Sequence, residues 1–189
     1  MDVVRGPDIS KFVDRLGDFR ISIFREYPYL YDGDIFYERN YLSRYVKSPA
    51  SILCVIEDER GLCAACTGIP LKDEDKSSQS VFSKHDIVNT FYIGEVMVRA
   101  DARKQGLGQR LLSEMICLAV GDGYQRIALF AVDRGYEHPA RPEHYWSPEA
   151  LWRKFGFERD PEKIARFSWK DIGSDVETSK PMSVWIRSA

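Results

Sequence analysis

Glu95-Val96-Met97-Val98-Arg99-Ala100-Asp101-Ala102-Arg103-Lys104-Gln105-Gly106-Leu107-Gly108-Gln109-Arg110-Leu111-Leu112 decides how this chain is read. An apolar strand runs into a basic, glycine-bearing turn, and the turn opens directly into an amphipathic helix. Such a junction is an anion seat. The first amides of a helix have no intrahelical partner, and the helix dipole favours negative charge there. Gly106 and Gly108 carry no Cβ, so a ligand's phosphates can approach the backbone closely. Arg103 and Lys104 add positive charge beside the seat. The turn is neither a P-loop, which needs Gly-x-x-x-x-Gly-Lys-Ser/Thr, nor a dinucleotide fingerprint, whose third glycine is Leu111 here.

Upstream, apolar residues spaced by three and four predict a helix over residues 8–26, with Pro7 and Asp8 as start signals. Residues 27–34 break that period and form an aromatic loop, and a second helix follows over 34–47. Residues 51–57 and 62–69 read as a hairpin turned by Asp58-Glu59-Arg60-Gly61. The charged run 71–80 reads as a solvated, mobile loop. Strand 91–99 leads to the seat, the helix runs over 107–120, and a strand follows at 126–132. A long connection, 133–147, precedes a short helix over 147–155 stopped by Gly156. Two strands near 165–169 and 182–186 close the chain, and a short strand at 2–5 opens it. The order predicts a mixed sheet with helices on both faces, in a single domain over residues 1–189.

Composition bounds the function. The chain has 189 residues, 44% hydrophobic and 30% charged, enough to bury a sizeable core. A net charge of −2 argues against a protein that coats nucleic acid. No apolar run is long enough for a bilayer, and the first residues do not form a secretory signal. A cytoplasmic protein with no membrane partner is the default. Cys54, Cys63, Cys66 and Cys117 lie in apolar stretches and suit small core residues. The lone CxxC has no second pair and no nearby histidines, so no metal is expected. In a strand its two thiols would point to opposite faces.

The sequence Arg103-Lys104-Gln105-Gly106-Leu107-Gly108 resembles the acyl-CoA pyrophosphate signature of the GNAT superfamily of N-acyltransferases, Arg/Gln-x-x-Gly-x-Gly/Ala. Leu151-Trp152-Arg153-Lys154-Phe155-Gly156-Phe157 resembles the same superfamily's Leu-Tyr-x-x-x-Gly-Phe box. The resemblance covers nearly the whole chain and is strongest from Tyr92 to Phe157. It implies a GNAT-type α/β fold with a mixed, mostly antiparallel sheet. It implies an acetyltransferase that takes its acyl group from acetyl-CoA and passes it to an amine, small molecule or peptide, by direct attack in a ternary complex. It further implies that pantetheine lies along Val96, Met97 and Val98, that the pyrophosphate takes amides from Arg103, Lys104, Gln105, Gly106, Leu107, Gly108 and Gln109, and that Trp152 lies near the thiol end. By superfamily analogy a homodimer is suggested.

The chemistry needs a base. Holding a lysine-like amine of pKa about 10.4 neutral at pH 7 costs about 4 to 5 kcal/mol. Glu95 is the candidate, beside the thioester position implied by the resemblance. Strand alternation puts it on the face with Ile93 and Met97, where an apolar setting raises a carboxylate's pKa toward the working range of a base. The competing reading is a structural pair with an arginine such as Arg99. The family's acid, the box tyrosine, is Trp152 here, and an indole cannot donate a proton in this way. Tyr145 is the substitute, unless the thiol leaves without an acid. The resemblance places the acceptor where the aromatic loop meets the 133–147 connection, with Tyr29, Tyr31, Asp32, His144 and Trp146 as candidates. His144 is also an alternative base, and His85 reads as a surface residue. The rival function is a non-catalytic acyl-CoA-binding module.

Overall fold

The computed structural model describes residues 1–189. One sheet holds seven strands: β1 (Asp2–Arg5), β2 (Ile52–Asp58), β3 (Gly61–Pro70), β4 (Thr90–Val98), β5 (Arg126–Val132), β6 (Glu158–Lys170) and β7 (Glu177–Ser188). The order across it is β1-β2-β3-β4-β5-β7-β6. Only β4 and β5 are parallel, because the chain crosses between them through a helix. The helices are α1 (Val13–Phe24), α2 (Ile35–Lys47), α3 (Lys76–Gln79), α4 (Lys84–Asn89), α5 (Leu107–Gly121) and α6 (Glu149–Lys154).

The apolar stripes fill both faces of the sheet. Leu16 and Phe19 of α1 and Leu42 and Tyr45 of α2 join Tyr92, Met97 and Phe130 in one core. Leu111, Leu112, Met115 and Ile116 of α5 join Phe91, Ile93 and Trp185 in the other. The mixed, mostly antiparallel sheet with helices on both faces is therefore as the sequence predicts.

Five local expectations need correction. The first helix is split: Gly6–Phe12 winds as a tight 3-10 segment before α1, entered through a left-handed Gly6 and Pro7. The run 71–80 is not a solvated loop. Leu71 anchors it in the core, Asp75 caps α3 by accepting the Ser78 amide at 2.9 Å, and Glu74 and Ser78 are buried. The closing strands are far longer than predicted and form a hairpin, because polar residues continue the ladder past the apolar centre. Cys63 and Cys66 face the same core, not opposite ones. Ile56 pairs with Ala64 and Glu57 with Leu62, so Cys63 is the extra residue of a bulge that breaks the alternation. Cys117 is exposed, unlike the other three.

A second bulge shapes the centre. Thr67 pairs with Glu95 but Gly68 pairs with Ile93, which leaves Gly94 as the extra residue of β4. The face of the strand flips there. Glu95 shares its face with Met97 and Tyr92, while Ile93 packs against α5, which corrects the simple alternation. Only glycine fits at the bulge, since a Cβ on Gly94 would collide with the Tyr45 hydroxyl and crowd Thr67 Oγ1. Gly94→Ala is expected to cost about 1–3 kcal/mol of stability, as overpacking does. Denaturant titration reads this, and a loss below about 0.5 kcal/mol would mean that the bulge tolerates a side chain.

Candidate active site

Glu95 is buried, yet none of its polar atoms is stranded. One carboxylate oxygen accepts the Tyr41 hydroxyl at 2.8 Å and contacts the Arg20 guanidinium. The other accepts the Thr67 hydroxyl. Arg20 also holds Glu38 at 2.5 Å, and Glu38 is fully buried. Burial disfavours the Arg20 charge, but Tyr41 and Glu38 hold its pKa above the ordinary value. Burial pushes the Tyr41 phenol up to about 12, so near neutral pH it is a hydroxyl donor. The arginine beside Glu95 is therefore Arg20, not Arg99, which instead binds Asp58 and Asp101 on the surface. A guanidinium in contact favours the charged form of a carboxylate, opposing the effect of burial.

The same bulge parts the sheet. β4 pairs with β5 only from Thr90 to Ile93. Past that point β5 bonds only β7, and the edge of β4 from Gly94 to Val98 faces a gap. A cavity of about 250 Å³ lies beside the parting, and Gly94, Glu95 and Phe130 line it. Its other walls are largely aromatic, including Tyr29, Tyr31, Tyr41, Tyr92 and Trp169.

Arg134 fixes the aromatic loop that supplies two of these rings. It donates to the carbonyls of Pro28 and Tyr29 and forms a two-pronged pair with Asp171. Burial raises the Tyr29 phenol to about 12, with Tyr145 adding to the shift. Burial also raises Tyr31 well above the ordinary phenol value, and the Glu38 carboxylate raises it further.

At the far end of β4 the turn opens into α5 as expected. Gly106 takes a left-handed φ of 80° at the helix N-cap. The Arg103 amide, expected in the seat, donates instead to the Ala100 carbonyl at 3.4 Å, but no amide from Lys104 to Gln109 donates to a backbone carbonyl, and no side chain caps the helix. A Cβ on Gly106 would meet nothing within 4 Å, and one on Gly108 only Val98 Cγ2 at 3.8 Å. Free amides and open space above them fit a diphosphate. Lys104 is exposed at the rim with φ 63°. The Arg103 side chain does other work: it holds Glu26 with two bonds of 2.7 and 2.8 Å and donates to the Val98 carbonyl at 3.0 Å. It thereby ties the turn to the end of α1. The second box lies alongside, since Lys154 of α6 donates to Gln109 at 3.0 Å. Trp152 packs edge-on against Trp185, with ring centroids 5.2 Å apart.

A family model described as the acetyltransferase (GNAT) family matches residues 17–157. The chain belongs to the GNAT acetyltransferase family. Solved structures agree on the fold. A ribosomal-protein-alanine N-acetyltransferase from Brucella melitensis superposes with a TM-score of 0.65 at 13% identity, covering 100% of both chains. An aminoglycoside 6'-N-acetyltransferase complexed with coenzyme A gives 0.57 at 17%, covering 100% of this chain and 97% of the other. Arabidopsis thaliana NAA60, in complex with a bisubstrate analogue, gives 0.60 at 14%, covering 99% and 97%. No curated protein sequence matches this chain.

Within this GNAT chain the structure brings only some of the predicted site residues together. Tyr29 and Tyr31 line the cavity with Glu95. Val96 and Val98 border the gap from the α5 side of β4, whereas the Met97 side chain is buried under α1 and α2. Tyr145 stands outside the cavity, edge-on to Tyr27 with centroids 4.7 Å apart. Burial raises its phenol above the ordinary value, which weakens it as an acid near neutral pH. Asp32 binds Lys170 at 2.8 Å and lies outside the cavity, and His144 and Trp146 are exposed and do not line it. Sequence reasoning missed Arg20, Glu38, Tyr41, Thr67, Glu74 and Asp75. A signal existed for two of them. Arg20 lies four residues after Leu16, and Glu38 four before Leu42, on stripes that are otherwise apolar. No helix is long and apolar enough to cross a membrane.

Proposed function

We propose that this protein transfers the acetyl group of acetyl-CoA to the amine of a small acceptor held in the aromatic cavity, with Glu95 as the base. The observation that carries this reading is the position of Glu95. Its carboxylate lies at the bulge where β4 and β5 part, on the wall of the cavity. Acetyl-CoA, when bound, supplies the activated acyl group. The free amides of Lys104 to Gln109 hold its diphosphate, and the unpaired edge of Val96 to Val98 binds its pantetheine arm. Trp152 lines that arm near the second box. Beside the gap, a backbone amide of β4 stabilises the charge that develops on the carbonyl oxygen.

The acceptor enters as an ammonium. Glu95 attracts it, and Tyr41, Thr67 and Arg20 fix the carboxylate on the cavity wall. Taking that proton lowers a barrier of about 4 to 5 kcal/mol. Tyr29 and Tyr31 wall the acceptor, at a distance from Asp32, His144 and Trp146, which are assigned no contact. The sulfur leaves as the thiolate of a thiol of pKa about 8.5, without a strong acid, and takes up the second amine proton as the amide forms; Tyr145 lies outside the cavity and is assigned no step.

A second reading has one observation in its favour: Glu95 is already engaged by a guanidinium and two hydroxyls, as in a structural network. In that case the protein binds acyl-CoA without catalysis. Incubation with acetyl-CoA and a panel of primary amines separates the two. Acetylated amine and free thiol are expected in equal amounts. Thermal stabilisation by coenzyme A, worth about 2.7 kcal/mol at a hundred times its dissociation constant, with no product from any amine would favour the binding module.

A further inference from the structure

We propose that the acceptor is a small diamine: one amine is acetylated at Glu95, and a second cation is seated against Glu74 and Asp75. This rests on the acetyltransferase reading for the first amine and on separate observations for the second. Four carboxylates line the cavity, those of Glu38, Glu74, Asp75 and Glu95. They form two groups. Arg20 holds Glu38 and Glu95. Arg44 holds Glu74 at 2.5 Å and Asp75 at 2.9 Å. Each group is one guanidinium against two carboxylates, so each keeps one uncompensated negative charge.

The two groups flank a single ring. The guanidinium carbons of Arg20 and Arg44 lie 4.1 and 4.6 Å from the centroid of Tyr41. The two guanidiniums can therefore lie no further apart than those two lengths laid end to end, which brings their carboxylate partners to the same end of the cavity.

Glu74 carries the sign of a missing ligand. Its side chain is 2% exposed, it lines the cavity, and its Oε1 has no hydrogen-bond partner. A buried carboxylate oxygen left without a donor is costly, and a bound ammonium would satisfy it. Burial accordingly raises the Glu74 pKa in the free protein, against the pull of Arg44. Asp75 stays ionised, its own burial outweighed by the Ser78 amide and Arg44. Aromatic walls add to the selection, since ring faces attract cations and cover the methylenes between them. Seated this way, the two charges of a diamine compensate the two surplus charges of the cavity.

The test compares 1,4-diaminobutane with butylamine, which has the same chain and one charge fewer. With acetyl-CoA saturating, kcat/KM is expected to favour the diamine at least about fiftyfold, the worth of one charged hydrogen bond in a buried site. Glu74→Gln should shrink that ratio at least about tenfold, with the loss in the KM of the diamine rather than in kcat. Asp75→Asn should move it in the same direction, and serves if Glu74→Gln folds poorly. Equal efficiency for the two amines, or a ratio that neither variant moves, overturns the second seat while the acetyl-transfer reading stands. If neither amine is acetylated, calorimetry of the diamine with the coenzyme A-loaded protein decides. Binding that weakens in Glu74→Gln keeps the seat, and no binding overturns it; the transfer reading itself falls only if the wider amine panel gives no product.

Discussion

Glu95→Gln is expected to lower turnover at least about a hundredfold and to leave coenzyme A affinity within about twofold. The amide has nearly the shape of the carboxylate and still accepts the Tyr41 hydroxyl, so the cavity keeps its form. What disappears is the ability to take a proton. Removing one member of a buried ion pair commonly costs about 3–5 kcal/mol, because a charge is left unpaired. Here Arg20 retains Glu38, so the stability loss should fall below that range, and the variant should fold. The pH dependence distinguishes a lost base from a displaced acceptor. As pH rises toward the acceptor's own pKa, more of the amine arrives neutral and the need for a base falls. The gap between Glu95→Gln and the parent should therefore narrow with rising pH. A gap that is constant across pH would assign Glu95 to positioning. Unchanged turnover would remove it from the mechanism. Steady-state kinetics across pH, with calorimetry for coenzyme A, makes the measurement.

The frame of this site was legible because it depends on local chemistry. The strand, the left-handed glycine and the helix start are contiguous in sequence, and their residue types state their backbone needs directly. Glu95 was legible for the same reason, as a charge in an apolar strand. Its partners were not. Arg20 and Tyr41 come from separate helices, and Thr67 from a neighbouring strand whose register is set by a bulge at Gly94. Alternation alone places Glu95 with Ile93, and only the extra residue turns it toward Met97. The segment Lys72 to Ser78 misled most. Its composition is that of a solvated loop, and propensity cannot foresee that Arg44 draws Glu74 and Asp75 against a cavity. Asp32, His144 and Trp146 lie outside the cavity. They were selected for residue type on the expected loops, and loops present most of their side chains to water.

Gly108→Leu should raise the dissociation constant for coenzyme A at least about a hundredfold, or about 2.8 kcal/mol, without lowering stability. The two halves of this prediction have separate causes. A Cβ at position 108 meets only Val98 Cγ2 at 3.8 Å, an ordinary contact, so the fold accepts it. Replacing glycine in a helix even gains stability, up to about 1 kcal/mol in the interior and less in the first turn. The leucine side chain, however, fills the open space above the amides of Lys104 to Gln109, where the proposed diphosphate sits. Gly106→Ala gives the contrast. Its left-handed φ of 80° penalises a side chain by about 1–2 kcal/mol, so stability falls. Reversing the turn's charges is a cleaner test at Lys104 than at Arg103, because Arg103 also ties the turn to Glu26 and its loss would loosen the seat as well as discharge it. If Gly108→Leu binds coenzyme A as tightly as the parent, the diphosphate does not lie at the mouth of α5. The alignment of β4, gap and cavity would then have to serve some other ligand.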